Sequence, residues 1–143
     1  MVFDTNVLVY AARDDTEFHD ACRRHIAEAG NAPSSGLLTW NICYEFFRVV
    51  THQRVSSQPW SLDEARRYIA GLLAALGFRL LLPTTEHMPV LAQTISELPE
   101  VRGNRVHDMH TAVLMREHGI TQICTMDSDF QRFPFVEVID PRQ

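Results

Sequence analysis

The chain contains no lysine. All 13 of its cationic side chains are arginine, set against 18 acids, for a formal net charge of −5 at pH 7. That balance excludes a broad basic face of the kind that holds nucleic acid through its phosphates alone. Arginine suits bidentate phosphate contact, but its exclusive use reads more simply as a coding bias. Cysteine is also scarce. Cys22, Cys43 and Cys124 form an odd set with no C-x-x-C pair and sit in apolar surroundings, so they read as reduced core residues rather than a disulfide or zinc framework. The apolar stretch Ile69 to Phe78 reaches about half the length of a membrane span. The N-terminus lacks the basic and apolar regions of a signal peptide. With 45% hydrophobic residues in 143, the expectation is one cytoplasmic domain over residues 1 to 143 with a substantial core and no membrane association.

What is present is an alternation of short apolar runs with amphipathic stretches. Val2-Phe3, Gly36 to Leu38, Phe78 to Leu82, Ile120 to Thr125 and Val136 to Ile139 read as strands. Between them, helices are expected from about Val7, over Glu17 to Ala29 behind an Asp15 or Thr16 cap, and from Thr39 to His52. Further helices are expected from the capping box Ser61 to Glu64 as far as Leu76, from Thr84 or Thr85 to Leu98, and from His107 or Asp108 to His118. Asn31 to Ser35 reads as a turn, residues 53 to 60 as a connector, and Pro99 to Val106 as a polar loop. The helix over Thr39 to His52 carries two apolar stripes, Trp40, Cys43, Tyr44, Phe47 and Ile42, Phe46, Val49, which leave little of its circumference for water. Strands alternating with helices imply an α/β fold: a mostly parallel central sheet with helices on both faces, in three layers.

Carboxylates collect where these strands end. Val2-Phe3 runs into Asp4-Thr5-Asn6, and Ile120 to Cys124 into Thr125, Asp127 and Asp129. Glu45 stands alone in an apolar helix and Asp108 at the start of another. Open α/β sheets keep their ligands at such strand ends. Each acid also has a plain structural role available: a helix cap for Asp4, an ion pair with Arg48 for Glu45, a first-turn acid for Asp108, a turn for Asp127. Their coincidence argues for divalent metal, since Mg²⁺ and Mn²⁺ take carboxylate and water oxygens. One or two such ions, roughly 3.5 to 4 Å apart when paired, can activate water and neutralise a phosphodiester transition state.

Those same segments, Asp4-Thr5-Asn6-Val7-Leu8, Glu45 with Phe46 to Val50, Asn104 to Asp108, and Thr125-Met126-Asp127-Ser128-Asp129-Phe130, resemble the PIN-domain nucleases. Within that family the chain looks most like the VapC-type ribonuclease toxins of bacterial toxin–antitoxin pairs. The resemblance spans nearly the whole chain. It implies a PIN-like sheet with Asp4, Glu45, Asp108 and Asp127 as metal-binding catalytic acids at its C-terminal edge, Asp129 in a secondary metal role, and Asn6 and Thr125 as supports. It further implies Mg²⁺ or Mn²⁺, an RNA substrate cut by water to leave a 5′-phosphate and a 3′-hydroxyl, a small antitoxin laid across the acidic groove, and a homodimer. Arg48, Arg102 and Arg105 are the candidate RNA contacts, being the cations nearest the acids in sequence. Only three residues precede Asp4, so the first strand is brief and open to fraying.

Other readings compete. His107-Asp108 is an HD dipeptide, but HD-type phosphohydrolases are all-helical and need ligands at other spacings, so His107 reads as a bystander. The D-x-D of Asp127 and Asp129 suits an aspartyl phosphatase only after the first strand. A catalytically silent RNA-binding or partner-binding module of the same fold is the alternative of a different class, and it would be more stable without four clustered acids.

Overall fold

The computed structural model describes residues 1–33, 35–54, 58–75 and 77–143. Five short strands form one sheet: β1 (Val2–Phe3), β2 (Gly36–Leu38), β3 (Phe78–Leu80), β4 (Gln122–Cys124) and β5 (Glu137–Ile139). Their spatial order is β3-β2-β1-β4-β5, and every pairing is parallel, so the expected mostly parallel sheet is wholly so. Adjacent residues Val2 and Phe3, Leu37 and Leu38, and Ile123 and Cys124 are all buried. Neighbours in a strand point to opposite faces, so burial of both means that both faces are covered. Among the described residues the cover is six helices: α1 (Thr5–Ala12), α2 (His19–Gly30), α3 (Trp40–Val50), α4 (Leu62–Ala74), α5 (His87–Glu97) and α6 (Arg105–Glu117). Among the described residues no helix is long and apolar enough to cross a membrane.

The brief first strand is pinned on both sides, for Leu37 N donates to Met1 O at 3.0 Å and Asp4 N to Cys124 O at 3.0 Å. Helix α1 starts at Thr5 and not near Val7, because the Asp4 side chain caps it through Thr5 N. Neither Asp15 nor Thr16 caps α2. Asp15 is taken by Arg13, and the Thr16 hydroxyl turns back onto the carbonyls of Tyr10 and Arg13, so the helix begins later, after Phe18. The Ser61–Glu64 capping box forms as read. Thr84 does not open α5: its N–H and hydroxyl donate to the Glu117 carboxylate while the hydroxyl accepts from Glu86 N, so it forms a turn ahead of the helix. That helix starts at His87, whose Nδ1 lies 2.6 Å from the same carboxylate. Parts of the expected 31–35 turn and 53–60 connector, and the Leu76 end of α4, lie outside the described residues.

Helix α3 departs from expectation in its packing. Ile42, Cys43, Phe46 and Val50 are buried, whereas Trp40 and Tyr44 remain 48% and 69% exposed. The Ile42 and Phe46 stripe faces the core, whereas the other is split, with Cys43 buried and Trp40 and Tyr44 turned outward. Phe46 stacks on Tyr68 at 5.2 Å and meets Trp60 at 6.1 Å, which ties α3 to α4. The three cysteines are buried and free. Near the later site, α6 begins at Arg105, earlier than expected, and a 3-10 turn over Ser128–Arg132 follows β4 with Asp127 at its start.

Two glycines test the packing in opposite directions. A Cβ on Gly77 would lie 2.0 Å from the Ala29 carbonyl oxygen, where the chain enters β3, whereas one on Gly71 in α4 would meet nothing within 4 Å. Gly71→Ala should therefore gain up to about 1 kcal/mol from helix propensity, while Gly77→Ala should lose at least 1 to 3 kcal/mol, as overpacking does. Urea denaturation of both variants checks this; equal stabilities would mean that the Gly77 contact is relieved without cost.

Candidate active site

Strand order reverses between β1 and β4, with β2 and β3 on one side and β5 on the other. Such a switch point opens a crevice at the C-terminal strand ends, because the connections leave in opposite directions. Asp4 follows β1 directly, and Thr125 and Asp127 follow β4.

The Thr125 hydroxyl is the junction. It donates to Asp4 Oδ2 at 2.6 Å and accepts from Asn6 Nδ2 and Asp127 N, both at 3.0 Å. That uses its one donor and both acceptor positions. Asn6 Nδ2 also donates to Asp4 Oδ2 at 2.9 Å, and Asn6 Oδ1 accepts from Met126 N at 3.2 Å, so the amide has one consistent orientation. Thr5 N donates to Asp4 Oδ1 at 2.7 Å. Asp127 Oδ1 in turn accepts from Asp129 N and starts the 3-10 turn. The D-T-N and T-x-D-x-D segments thus interlock across the β1/β4 gap.

The remaining acids come from helices. Asp4, Glu45, Asp108 and Asp127 line a single cavity of about 490 Å³, walled by Val9, Val49 and Val50 and bordered by Arg13 and Thr16. A second cavity, about 620 Å³, shares Glu45, Asp108 and Asp127 and adds Asp129, Arg48, Arg105, Tyr44 and His107. Arg102 lines neither; its Nε donates to Glu100 O in its own loop. Glu45 is not the deeply buried acid the sequence suggested, because its part of α3 faces solvent. Arg48 Nη2 lies 3.4 Å from its Oε1, the plain ion pair, and Thr5 Oγ1 lies 3.4 Å from its Oε2. Thr5 was not singled out from sequence and nothing local marks it, since only the fold brings α1 against α3. Arg132, also missed, pairs with Asp129 at 2.6 Å, and its i,i+3 spacing was the available signal.

Burial pushes the Asp4 carboxyl up to about 6; Glu45 and Asp127 add to this, while hydrogen bonds from Thr125 and Thr5 oppose it. Burial likewise raises Asp108 to about 6, reinforced by Asp4, Asp127, Asp129 and Glu45. The site therefore holds more negative charge than its surroundings neutralise. Among the described residues, no three His, Cys, Asp or Glu side chains are gathered tightly enough to grip an ion directly. An all-carboxylate set this open fits a hard ion that keeps several of its waters, as Mg²⁺ does, better than the closed tetrahedral clasp of zinc.

The PIN domain family profile matches residues 1–136. The chain belongs to the PIN-domain family. Ribonuclease VapC48 of Mycobacterium tuberculosis is 30% identical over 139 residues, covering 97% of this chain and 95% of the relative. Among solved structures, the fold matches Mycobacterium tuberculosis VapC20, described as a sarcin-ricin loop cleaving toxin, with TM-score 0.68, 19% identity and coverage of 98% and 100%. It also matches VapBC2 from Rickettsia felis, solved bound to a DNA fragment from their promoter, with TM-score 0.66, 15% identity and coverage of 97% and 98%. In this PIN-domain chain the family's D-T-N and T-x-D-x-D segments are the two halves of the Thr125 network.

Two predictions follow from that network and its charge. Thr125→Val keeps the shape but strips a donor from Asp4 and an acceptor from Asn6 and Asp127 N, so it should cost about 1 to 3 kcal/mol in urea denaturation; an unchanged midpoint would show that the hydroxyl is dispensable. For Asp4 and Asp108 the folded pKa, about 6, lies above the reference value of 3.8. Between these values the folded form binds more protons, so stability is lost as pH rises through the folded pKa. In EDTA the protein should melt higher near pH 5 than at pH 7, and Asp108→Asn should melt above wild type at pH 7. Melts that are flat with pH, with Asp108→Asn below wild type, would contradict the raised pKa values of these acids.

Proposed function

We propose that this chain is a divalent-metal-dependent endoribonuclease, acting as one nuclease unit over residues 1 to 143 in the cytoplasm, and the toxin of a toxin–antitoxin pair. One observation carries the reading: Asp4, Glu45, Asp108 and Asp127, from four separate segments, line one cavity at the sheet's switch point. The ribonuclease name of the 30% identical relative supports RNA as the substrate. The VapBC2 assembly supports a partner protein, which the family resemblance implies is a small antitoxin with its tail laid across the acidic groove. Exposed Trp40 and Tyr44 on α3, with Met88 and Ile95 on α5, offer apolar surface for a second copy in a homodimer.

Asp4, Glu45, Asp108 and Asp127 would hold Mg²⁺ or Mn²⁺. When bound, such an ion neutralises phosphate charge and lowers the pKa of an attacking water. Thr125, Asn6 and Thr5 N hold Asp4 in one orientation, so its charge is placed before the substrate arrives. The turn begun at Asp127 fixes that acid relative to Asp4. Arg48 and Arg105 border the second cavity, where an RNA strand leaving the acids would meet them at its phosphates. Water attack then breaks the bond to the 3′-oxygen and leaves a 5′-phosphate and a 3′-hydroxyl.

Purified protein should cut RNA with Mg²⁺ or Mn²⁺ and stop with EDTA. Ca²⁺ should bind yet support little turnover, its looser coordination failing to hold water and phosphate in line. Loss of a supporting residue around a metal typically costs roughly 10- to 100-fold, and Asp4→Asn or Asp108→Asn, which remove proposed ligands, should cost more while remaining folded. Undiminished cleavage by both variants defeats the mechanism. RNA binding without cleavage across all metals and substrates would favour the silent module instead.

A further inference from the structure

The acids of this site differ in what neutralises them. Asp4 is surrounded by uncharged donors, Thr125, Asn6 and Thr5 N, and keeps its full charge for whatever enters the cavity. Asp129 does not. Arg132 Nη2 lies 2.6 Å from its Oδ1, and Arg132 Nε donates to its main-chain carbonyl at 2.8 Å. The pair is largely sheltered, with side chains 21% and 37% exposed. Both residues belong to a turn anchored by buried Phe130 and Phe133 and begun by Asp127 accepting from Asp129 N. The contact takes one acceptor position of the carboxylate, and a dication placed on this group would stand beside a guanidinium that already answers its charge.

The same Oδ1 faces a second arginine. Arg105 Nε lies 3.9 Å away, across the mouth of the second cavity, on the first turn of α6 and one turn before Asp108. That spacing is too long for a hydrogen bond and leaves the guanidinium half exposed, attracted but unsaturated. We infer that Asp129 is a positioning residue and not a metal ligand: fixed in place by Arg132, it draws Arg105 over the second cavity to receive a phosphate of single-stranded RNA. The inference rests on the nuclease reading above and specifies how that site takes its strand.

The sign of one substitution separates the alternatives. Removing an acid beside a polyanion strengthens binding if the acid only repels. If the acid positions an arginine, removing it weakens binding. Mn²⁺ affinity by titration calorimetry, and binding of a short fluorescein-labelled single-stranded RNA in Ca²⁺ buffer, would be measured for the full chain, Asp129→Asn, Arg105→Gln and the double variant. Asp129→Asn should bind Mn²⁺ as the parent does. Arg105→Gln and Asp129→Asn should each weaken RNA binding by up to about fivefold, the range of a partly exposed charge contact. Each should also shallow the salt dependence by about 0.7, one phosphate's share on a single strand. The double variant should be no weaker than either single one, since both act through the same contact. A Mn²⁺ affinity reduced roughly tenfold in Asp129→Asn, as loss of a ligand or its support gives, overturns the inference. So does RNA binding that is unchanged or tighter in that variant. Should Asp129→Asn fold poorly, Arg105→Gln decides alone, and unchanged RNA affinity there overturns it as well. A parent that binds neither Mn²⁺ nor RNA brings down the nuclease reading and this inference together.

Discussion

The 2.6 Å contact from the Thr125 hydroxyl to Asp4 Oδ2 is the interaction on which the acidic edge depends. Burial opposes charge on Asp4, and neighbouring acids oppose it further. What holds the carboxylate in place is a small set of donors that cost no counter-charge. A lysine or arginine there would stabilise the fold more strongly but would cancel the charge that makes the position useful. Thr125 and Asn6 avoid this, and because they come from opposite sides of the β1/β4 gap they also fix the two strand ends to each other.

That pairing explains why so much of the candidate site is legible in the sequence. Strands of this sheet are buried on both faces, so they read as unbroken apolar runs, and the first polar residues after them mark the C-terminal edge. Asp4, Asn6, Thr125 and Asp127 were visible for this reason. Glu45 and Asp108 were visible because an acid inside an apolar helical pattern is unusual. The PIN resemblance added order and spacing to signals that are individually weak. Even the strand order, which places Asp4 beside Thr125 from residues more than a hundred positions apart, was only implied by alternation and needed the fold to appear.

The misreadings share a physical cause: competition for the same polar groups. Asp15 and Thr16 look like a helix cap, but Arg13 and two backbone carbonyls claim them first. Thr84 looks like a helix start, but Glu117 takes both its donors from 33 residues away. Local pattern cannot register a distant claimant. The second apolar stripe of α3 failed differently, since periodicity reports which residues could be buried and not whether anything arrives to bury them. Trp40 and Tyr44 are left outward because the sheet and α4 need only one face of that helix.

A chain with net charge −5 that takes RNA must resolve a conflict between its own acids and the phosphates it approaches. The arrangement found here divides the problem by depth. At the floor, Asp4 is held by neutral donors, and Asp108 carries burial and the repulsion of four other acids, a deficit of positive charge that, on the proposed function, a dication would fill. At the rim, Glu45 has Arg48 and Asp129 has Arg132 and Arg105, so the outermost acids present cations rather than bare charge to an incoming strand. Uniform neutralisation would spoil the floor, and none at all would repel the strand before it arrived. On the proposed function, graded neutralisation, set by which acids are given arginine neighbours and which are given hydroxyls and amides, would let an acidic protein admit a polyanion without a basic face.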